Sequence, residues 1–462
     1  MKAQRVAGYV WMISLAAALG GLLFGYDWIV ISGTDIFYEP YFQLATPLLK
    51  GWAKSSALLG CLCGALVSGT LSDRCGRKRL LILAALMFTV SSLGTSLAHA
   101  FTVFVAWRIA GGAAIGLASN LSPMYIAEVA PAEDRGKFVA INQLTIVIGI
   151  LLAQLANWLI AEPMAAQMTG SEIAASWNGQ MGWRWMFAAA AVPSVLFLVC
   201  MFLVPESPRW LVKNGQTDRA RRVLGRIRSP QAAATELISI VETLSADAQQ
   251  ARFRDLFDRR LGRVLLLGIV LAVFQQWCGI NVIFYYAKDI FRDAGFPLSD
   301  LLLNIVVVGL ANLLATLVAI ATVDRLGRRV LMLAGSAGLA GIFCLLGGAY
   351  HYGLQGTPVL VLVVAAITCY SFSLAPITWV VIAEIFPNRV RGAAMSVAVF
   401  ALWVACFVLT ETFPLLNHHL GPARTFWIYA GICAAGLLFV SFRLPETKGK
   451  TLEQLESELS RV

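Results

Sequence analysis

Charge is scarce in this chain of 462 residues: Asp, Glu, Lys and Arg make up 13%, about half of the roughly 25% of a soluble domain. With 58% of its residues hydrophobic, it has too little polar surface to be an ordinary soluble globule. Histidine is nearly absent. The four present, His99, His351, His418 and His419, fall at or near expected outer helix ends, which leaves no placement for a buried metal site or a histidine proton relay. There is no metal-ligand spacing, no phosphate-binding glycine loop and no nucleophile and base pair, so no enzyme activity and no cofactor are expected. The nine cysteines are scattered singly, and the one close pair, Cys61 and Cys63, points to different faces of a helix. They read as small apolar packing residues. The single glycosylation sequon, at Asn120, falls inside an apolar run, which suits a bacterial inner membrane.

Long apolar runs are what the chain has in abundance. Stretches of about 20 residues, the length that crosses a bilayer core as a helix, recur along nearly the whole sequence. Twelve are counted, beginning near Val6, Trp52, Leu80, Phe101, Phe138, Trp183, Val264, Leu301, Val330, Pro358, Ala393 and Thr425. The net charge of +10 does not indicate nucleic acid, because its placement is one-sided. Lys2, Arg5, the cluster from Arg74 to Arg79, the basic stretch between Arg209 and Arg263, and the cluster Arg325, Arg328, Arg329 all fall on one side of a twelve-span layout. That side is the cytoplasm by the positive-inside rule, with both termini inside. The opposite loops hold few basic residues, chiefly Lys50, Lys54, Lys288, Arg292 and Arg424. Lys2 and Arg5 ahead of an apolar run also fit a signal peptide, but with eleven further spans an uncleaved first helix is expected.

Three elements recur in the same order in each half. Asp73, Arg74, Gly76, Arg77 is echoed by Asp324, Arg325, Gly327, Arg328; Glu128 with Arg135 seven residues on is echoed by Glu384 with Arg391; and Pro205, Glu206 is echoed by Pro445, Glu446. Two six-span units in parallel orientation follow, an arrangement of alternating-access carriers whose site lies near the midplane. The glycines permit tight turns, and the charges, with Arg209, make a candidate cytoplasmic gate or charge lattice. The expected organisation is a six-helix bundle over 1–204, a cytoplasmic helical linker over 205–262, a second bundle over 263–444 and a tail over 445–462. Within the linker, helical spacing is expected over Thr217 to Ile227 and Ala232 to Ala248, with Asp218 near the start of the first.

Against this background one acidic residue stands out. Asp27 sits inside the first apolar run, in LLFGYDWIVISGT, where a carboxylate costs at least about 2.5 kcal/mol and is usually placed against a partner or a watery cavity. An early end to the first span, leaving Asp27 in an interfacial turn, is the alternative. Counting from the inside, Asp27 lies about twenty residues along, roughly 30 Å at 1.5 Å per residue. Arg108 lies about seven residues into the fourth span, which starts outside, so both charges reach the same outer half and can pair. Burial favours the neutral carboxyl and the arginine favours the carboxylate, so changes in their pairing move proton affinity.

The ordered set of motifs resembles the sugar porter branch of the major facilitator superfamily over essentially the whole chain. It comprises GGLLFGYD, RIAGGAAIGLASNLSPMYIAEVAP from Arg108, PESPRWL at 205, FQQWCGIN from Phe274 and PETKGKTLEQLE at 445. The resemblance implies an all-α membrane protein of that fold, importing a monosaccharide (pentose, hexose or cyclitol) with a proton and working as a monomer. It assigns proton coupling to Asp27 and Arg108, and sugar contact to Gln143, Gln275, Gln276, Asn281, Asn312 and Trp379, with Phe24 and Trp403 as further walls. Amides suit a ring of hydroxyls because they donate and accept at once, and aromatics cover the ring faces. The same residue types also glue and pack helices. Pro376 fits a local helix break, and Gly111, Gly112, Gly116 and Gly279 fit close packing.

Two departures from the resembled pattern matter. Leu402 stands where xylose symporters carry glutamine and glucose facilitators asparagine, and Ala190 within MFAAAAVP stands near the position of a second acidic residue in the xylose symporters. Glu411, in LTETFP, is either a gate or proton group or a solvated helix end. A passive uniporter of the same fold is the first alternative function. A sugar sensor is the second, although only about 18 residues follow the last span where sensors carry long cytoplasmic extensions.

Overall fold

The computed structural model describes residues 2–131, 135–247, 259–386 and 391–446, and among them every regular element is helical. Eleven helical stretches are long and apolar enough to cross a membrane. The last, Ala394–Arg443, would measure about 75 Å, more than twice a bilayer core. It turns back at Gly421, which has φ 76°, and so supplies two spans, giving the expected twelve. The first span runs unbroken by any turn through Asp27 and ends at Tyr41, with non-helical backbone only at Ser32 and Gly33. The early-ending alternative for Asp27 is therefore overturned: apolar side chains continue on both sides of the carboxylate, and the helix continues with them.

By packing, the chain forms two compact units. One comprises Met1–Trp28, Leu59–Ala153 and Arg184–Gln250, the other Ile29–Leu58, Gln154–Trp183 and Ala251–Val462. In the first unit the fourth span (Phe101–Val129) packs against the second (Pro47–Cys75) so closely that Gly60 and Gly64 face the backbone of Ile109 and Ala113. In the second unit the seventh span is two helices, Arg259–Trp277 and Ile280–Tyr285, joined through Gly279 at φ 90°. The tenth is also two, Thr357–Phe372 and Leu374–Ile385, meeting at Ser373. Pro376 lies just past that break; its ring nitrogen has no hydrogen to donate to the preceding turn.

The linker helices are Pro208–Lys213, Thr217–Ile227 and Pro230–Asp247. Ala220, Leu224 and Ile227 are buried at helical spacing along one face of the second. Arg228 fastens the group to the cytoplasmic end of the fourth span, donating to the carbonyls of Val129 (3.0 Å) and Ala130 (2.7 Å) and pairing with Glu236 at 2.6 Å.

Candidate proton and substrate site

In the first unit the two charges predicted to meet do meet. Arg108 Nη1 lies 3.0 Å from Asp27 Oδ1, and its Nη2 donates to the Asp27 carbonyl at 3.3 Å. The guanidinium sits 5.5 Å from the ring centroid of Phe187. Asp27 is 6% exposed and Arg108 2%. The other carboxylate oxygen, Oδ2, is buried with no hydrogen-bond partner; it faces Gly111, where a Cβ would lie 3.4 Å from it. One oxygen is thus held by the arginine while the other retains free lone pairs, and a buried acceptor left unsatisfied costs about 1–3 kcal/mol. Phe24, half-buried one turn before Asp27, has its ring 6.3 Å from that of Trp28. Gln143 is half-buried on the fifth span (Arg135–Ile160), beside Asn142, whose side-chain oxygen closes on Gly21 of the first.

The second unit holds the other predicted sugar contacts. Gln275 (1% exposed), Gln276 (8%) and Asn281 (2%) form a relay across the Gly279 break. Gln275 Nε2 donates to the Ala375 carbonyl at 3.2 Å, Gln276 Nε2 to Gln275 Oε1 at 3.4 Å, and Asn281 Nδ2 to Gln276 Oε1. The relay ties the broken seventh span to the broken tenth. Asn312 accepts from Ser371 at 2.6 Å. Trp403 and Leu402 are buried, whereas Trp379 is 39% exposed. Leu402 places no hydrogen-bonding group at its position, and the buried Ala190 places no carboxylate in the sixth span.

The cytoplasmic charges repeat in space as they do in sequence. Gly76 (φ 93°) and Gly327 (φ 89°) make the turns into the third and ninth spans, a backbone region open chiefly to glycine. Glu206 Oε1 accepts from the backbone N–H groups of Arg77 and Lys78 at 3.0 and 3.1 Å. Glu446 accepts from those of Arg328 and Arg329 at 3.0 and 3.1 Å. Each carboxylate satisfies orphan donors at a helix N-terminus, where the helix dipole favours negative charge. Arg77 also pairs with Glu128 at 3.0 Å and with Asp73 at 3.3 Å, and Arg328 lies 3.5 Å from Glu384. Arg74 and Arg209 are exposed. The side chains of Arg135, Asp324, Arg325 and Arg391 lie outside the described residues, as does the tail beyond Glu446. Glu206→Ala, which strips the acceptor from these N–H groups, is expected to cost about 2 kcal/mol, read as a lower melting temperature of the purified protein.

Sequence reasoning missed one cluster and misplaced part of it. Lys54 and Lys288, expected in outer loops, are buried, at 0% and 5% exposure, and pair with Asp35 (0%) and Glu39 (7%). The loop expectation is corrected: Lys54 lies within the second span and pairs with Asp35 of the first, and Lys288 lies on the helix Ala287–Asp293 and pairs with Glu39 of the first. Arg184, which donates to the carbonyls of Ser96 and Ala98 at 2.7 and 2.8 Å, was also passed over. Glu411 is not a free helix end: it accepts from Ser55 Oγ at 2.6 Å.

The sequence model of a family described as sugar (and other) transporter matches residues 13–459. The glucose transport protein of Synechocystis sp. is 42% identical over 461 residues, covering 97% of each chain. The D-xylose-proton symporter of Escherichia coli (strain K12) is 38% identical over 489 residues, covering 99% of this chain and 97% of its own. The inward open conformation of the xylose transporter XylE from E. coli superposes with a TM-score of 0.84 at 37% identity, covering 97% of this chain and 100% of that one.

Proposed function

The chain belongs to the sugar (and other) transporter family, and from that premise we propose that it imports a monosaccharide by proton symport through alternating access. The observation that carries the coupling is the Asp27–Arg108 pair, buried and with one carboxylate oxygen unsatisfied. A proton entering from outside binds Asp27 Oδ2. Neutralising the carboxylate weakens the charge-assisted bonds from Arg108, and the freed guanidinium changes its contacts. Sugar binding is favoured in that protonated form, and the proton leaves Asp27 toward the cytoplasm as Arg108 returns. No second carboxylate is required at Ala190.

The sugar is held by Gln143, Gln275, Gln276, Asn281 and Asn312 through its hydroxyls and covered by Phe24, Trp379 and Trp403. Two six-helix bundles, 1–204 and 263–444, move as units in this reading, linked by 205–262. The in-order recurrence of the cytoplasmic motifs supports it, and their carboxylate-capped turns form the charge lattice that opens and closes on the inner side. Leu402 removes one polar contact, so selectivity differs from that of a carrier with an amide there. Pentoses, hexoses and cyclitols are the substrate class. The protein resides in a bacterial inner membrane with its termini cytoplasmic and functions as a monomer.

The competing reading is a uniporter in which Asp27 and Arg108 are a permanent structural pair. Uptake into vesicles with and without an imposed proton gradient separates the two. Accumulation above the external concentration is expected only with the gradient; equal plateaus in the two conditions would sink symport. Competition by pentoses, hexoses and inositol against labelled D-xylose or D-glucose identifies the sugar.

A further inference from the structure

Eight residues beyond Asp27, the first span carries a second buried acid that the coupling scheme does not use. The helix breaks between them, at Ser32 (ψ 121°) and Gly33 (φ 96°). Asn157 repairs the break by donating to the carbonyls of Val30 and Ser32, both at 3.0 Å. Asp35 Oδ1 accepts from the N–H of Gly33 at 3.0 Å. Its other oxygen, Oδ2, lies 2.6 Å from Lys54 Nζ, with both side chains 0% exposed. Lys54 also donates to the carbonyl of Tyr285 at 2.9 Å and lies 3.9 Å above the ring of Tyr286.

The network continues in two directions. Lys288 Nζ reaches Glu39 Oε2 at 2.7 Å and Asp35 Oδ2 at 3.6 Å. Asp289 approaches Lys54 at 4.0 Å and Arg292 at 3.0 Å. Tyr286 Oη donates to the carbonyl of Thr410, and the next residue, Glu411, accepts from Ser55. Burial alone would raise the Asp289 carboxyl, but Lys288, Lys54, Arg292 and Lys50 outweigh it and hold it below the ordinary range. Every member lies in one compact unit, and all sit at the ends of the first, second, seventh and eleventh spans expected to face outward.

We propose that the Asp35–Lys54–Lys288–Glu39 cluster is an outer latch: it holds the outward ends of these spans together in the conformation seen, and it must part for sugar to enter from outside. The proposal rests on the transport reading above. Its physical basis is the choice of charge over apolar packing. A buried ion pair gains little over a well-packed apolar contact, yet separating its members into the apolar interior is costly. At a span end that opens to water, however, each separated charge is rehydrated. An ionic cluster there is therefore stable in a closed and in a hydrated state, as a gate requires, whereas an apolar plug would oppose opening. The break at Ser32–Gly33 lets the latch segment reorient without disturbing the helix that carries Asp27.

Hydrogen exchange of the full chain in nanodiscs, followed by mass spectrometry without any sugar, tests the latch separately from transport. In Lys54→Met, amides of segments 34–50 and 285–293 are expected to exchange about tenfold faster or more, while segment 205–230 is unchanged. The double variant Asp35→Asn with Lys54→Met, which removes both charges and keeps an acceptor for the Gly33 N–H, should exchange in the outer segments no faster than Lys54→Met alone, the non-additivity of a coupled pair. Unchanged outer exchange in Lys54→Met overturns the latch. So does acceleration that extends equally to 205–230, which would make the cluster a support of the whole fold, and so do effects of Asp35→Asn and Lys54→Met that simply multiply in the double variant. A wild-type protein that carries no sugar would overturn the transport reading whatever the exchange result.

Discussion

Asp27→Asn is expected to abolish concentrative uptake while leaving sugar exchange down its own gradient. The substitution keeps the size of the side chain, and its amide oxygen can still accept from Arg108 Nη1, which lies 3.0 Å from Oδ1 in the wild type. What it removes is the charge and the basic oxygen Oδ2, so no proton can be taken up at this position. Each proton crossing 100 mV contributes about 2.3 kcal/mol, roughly a fiftyfold accumulation ratio at one proton per sugar. Asp27→Asn should bring that ratio to one. Counterflow of labelled sugar in proteoliposomes, which needs no proton gradient, should survive and so report that the protein is folded.

The arginine side of the pair behaves differently. Arg108→Leu leaves a carboxylate in apolar surroundings, and removing one member of a buried pair typically costs about 3–5 kcal/mol unless the survivor is neutralised. The double variant Asp27→Asn with Arg108→Gln removes both charges and is expected to be more stable than Arg108→Leu alone. Loss of counterflow in Asp27→Asn, with the protein shown folded, would mean that the carboxylate serves sugar binding itself and that coupling lies elsewhere.

Local features made most of the fold legible. The span starts agree with the helices to within a few residues because hydropathy and length act on each segment by itself. The linker helix Thr217–Ile227 agrees at both ends, since Ala220, Leu224 and Ile227 declare one buried face and Pro230 a new start. Asp27 and Arg108 could be paired in advance because topology sets depth from chain position alone. The latch was not legible in the same way. Lys288 and Glu39 are 249 residues apart, and a lysine near a span end reads as a topology signal until its partner is known. A signal did exist: Asp35 stands in the same apolar run as Asp27, and the cost that singled out Asp27 applies to it equally. The amide relay was legible as residue types, but its hydrogen bonds depend on the breaks at Gly279 and Ser373, which hydropathy does not encode.

Gly116→Val is expected to remove most of the folded transporter from the membrane. Helices in a bilayer gain nothing from hiding apolar surface from lipid that is equally apolar, so close packing of small residues carries much of their association. A Cβ at Gly116 would run into the carbonyl oxygen of Cys61 and the backbone nitrogen of Ala65, and those at Gly60 and Gly64 would meet the carbonyls of Ile109 and Ala113. These are backbone atoms on both sides, so no rotamer change makes room and the second and fourth spans must separate. Overpacking of this kind costs about 1–3 kcal/mol where side chains can yield and more where they cannot. Gly341→Val and Gly431→Val, at positions where a Cβ meets nothing within 4 Å, should stay within about 0.5 kcal/mol of wild type. Membrane abundance and the melting temperature of the purified protein distinguish the two groups. The milder Gly116→Ala bears on function, because Gly116 lies eight residues, about 12 Å, beyond Arg108 on the same helix. Displacing that helix moves the guanidinium relative to Asp27, so Gly116→Ala should lower the accumulation ratio more than it lowers counterflow. Equal losses in both assays would show that the fourth span bears on stability alone.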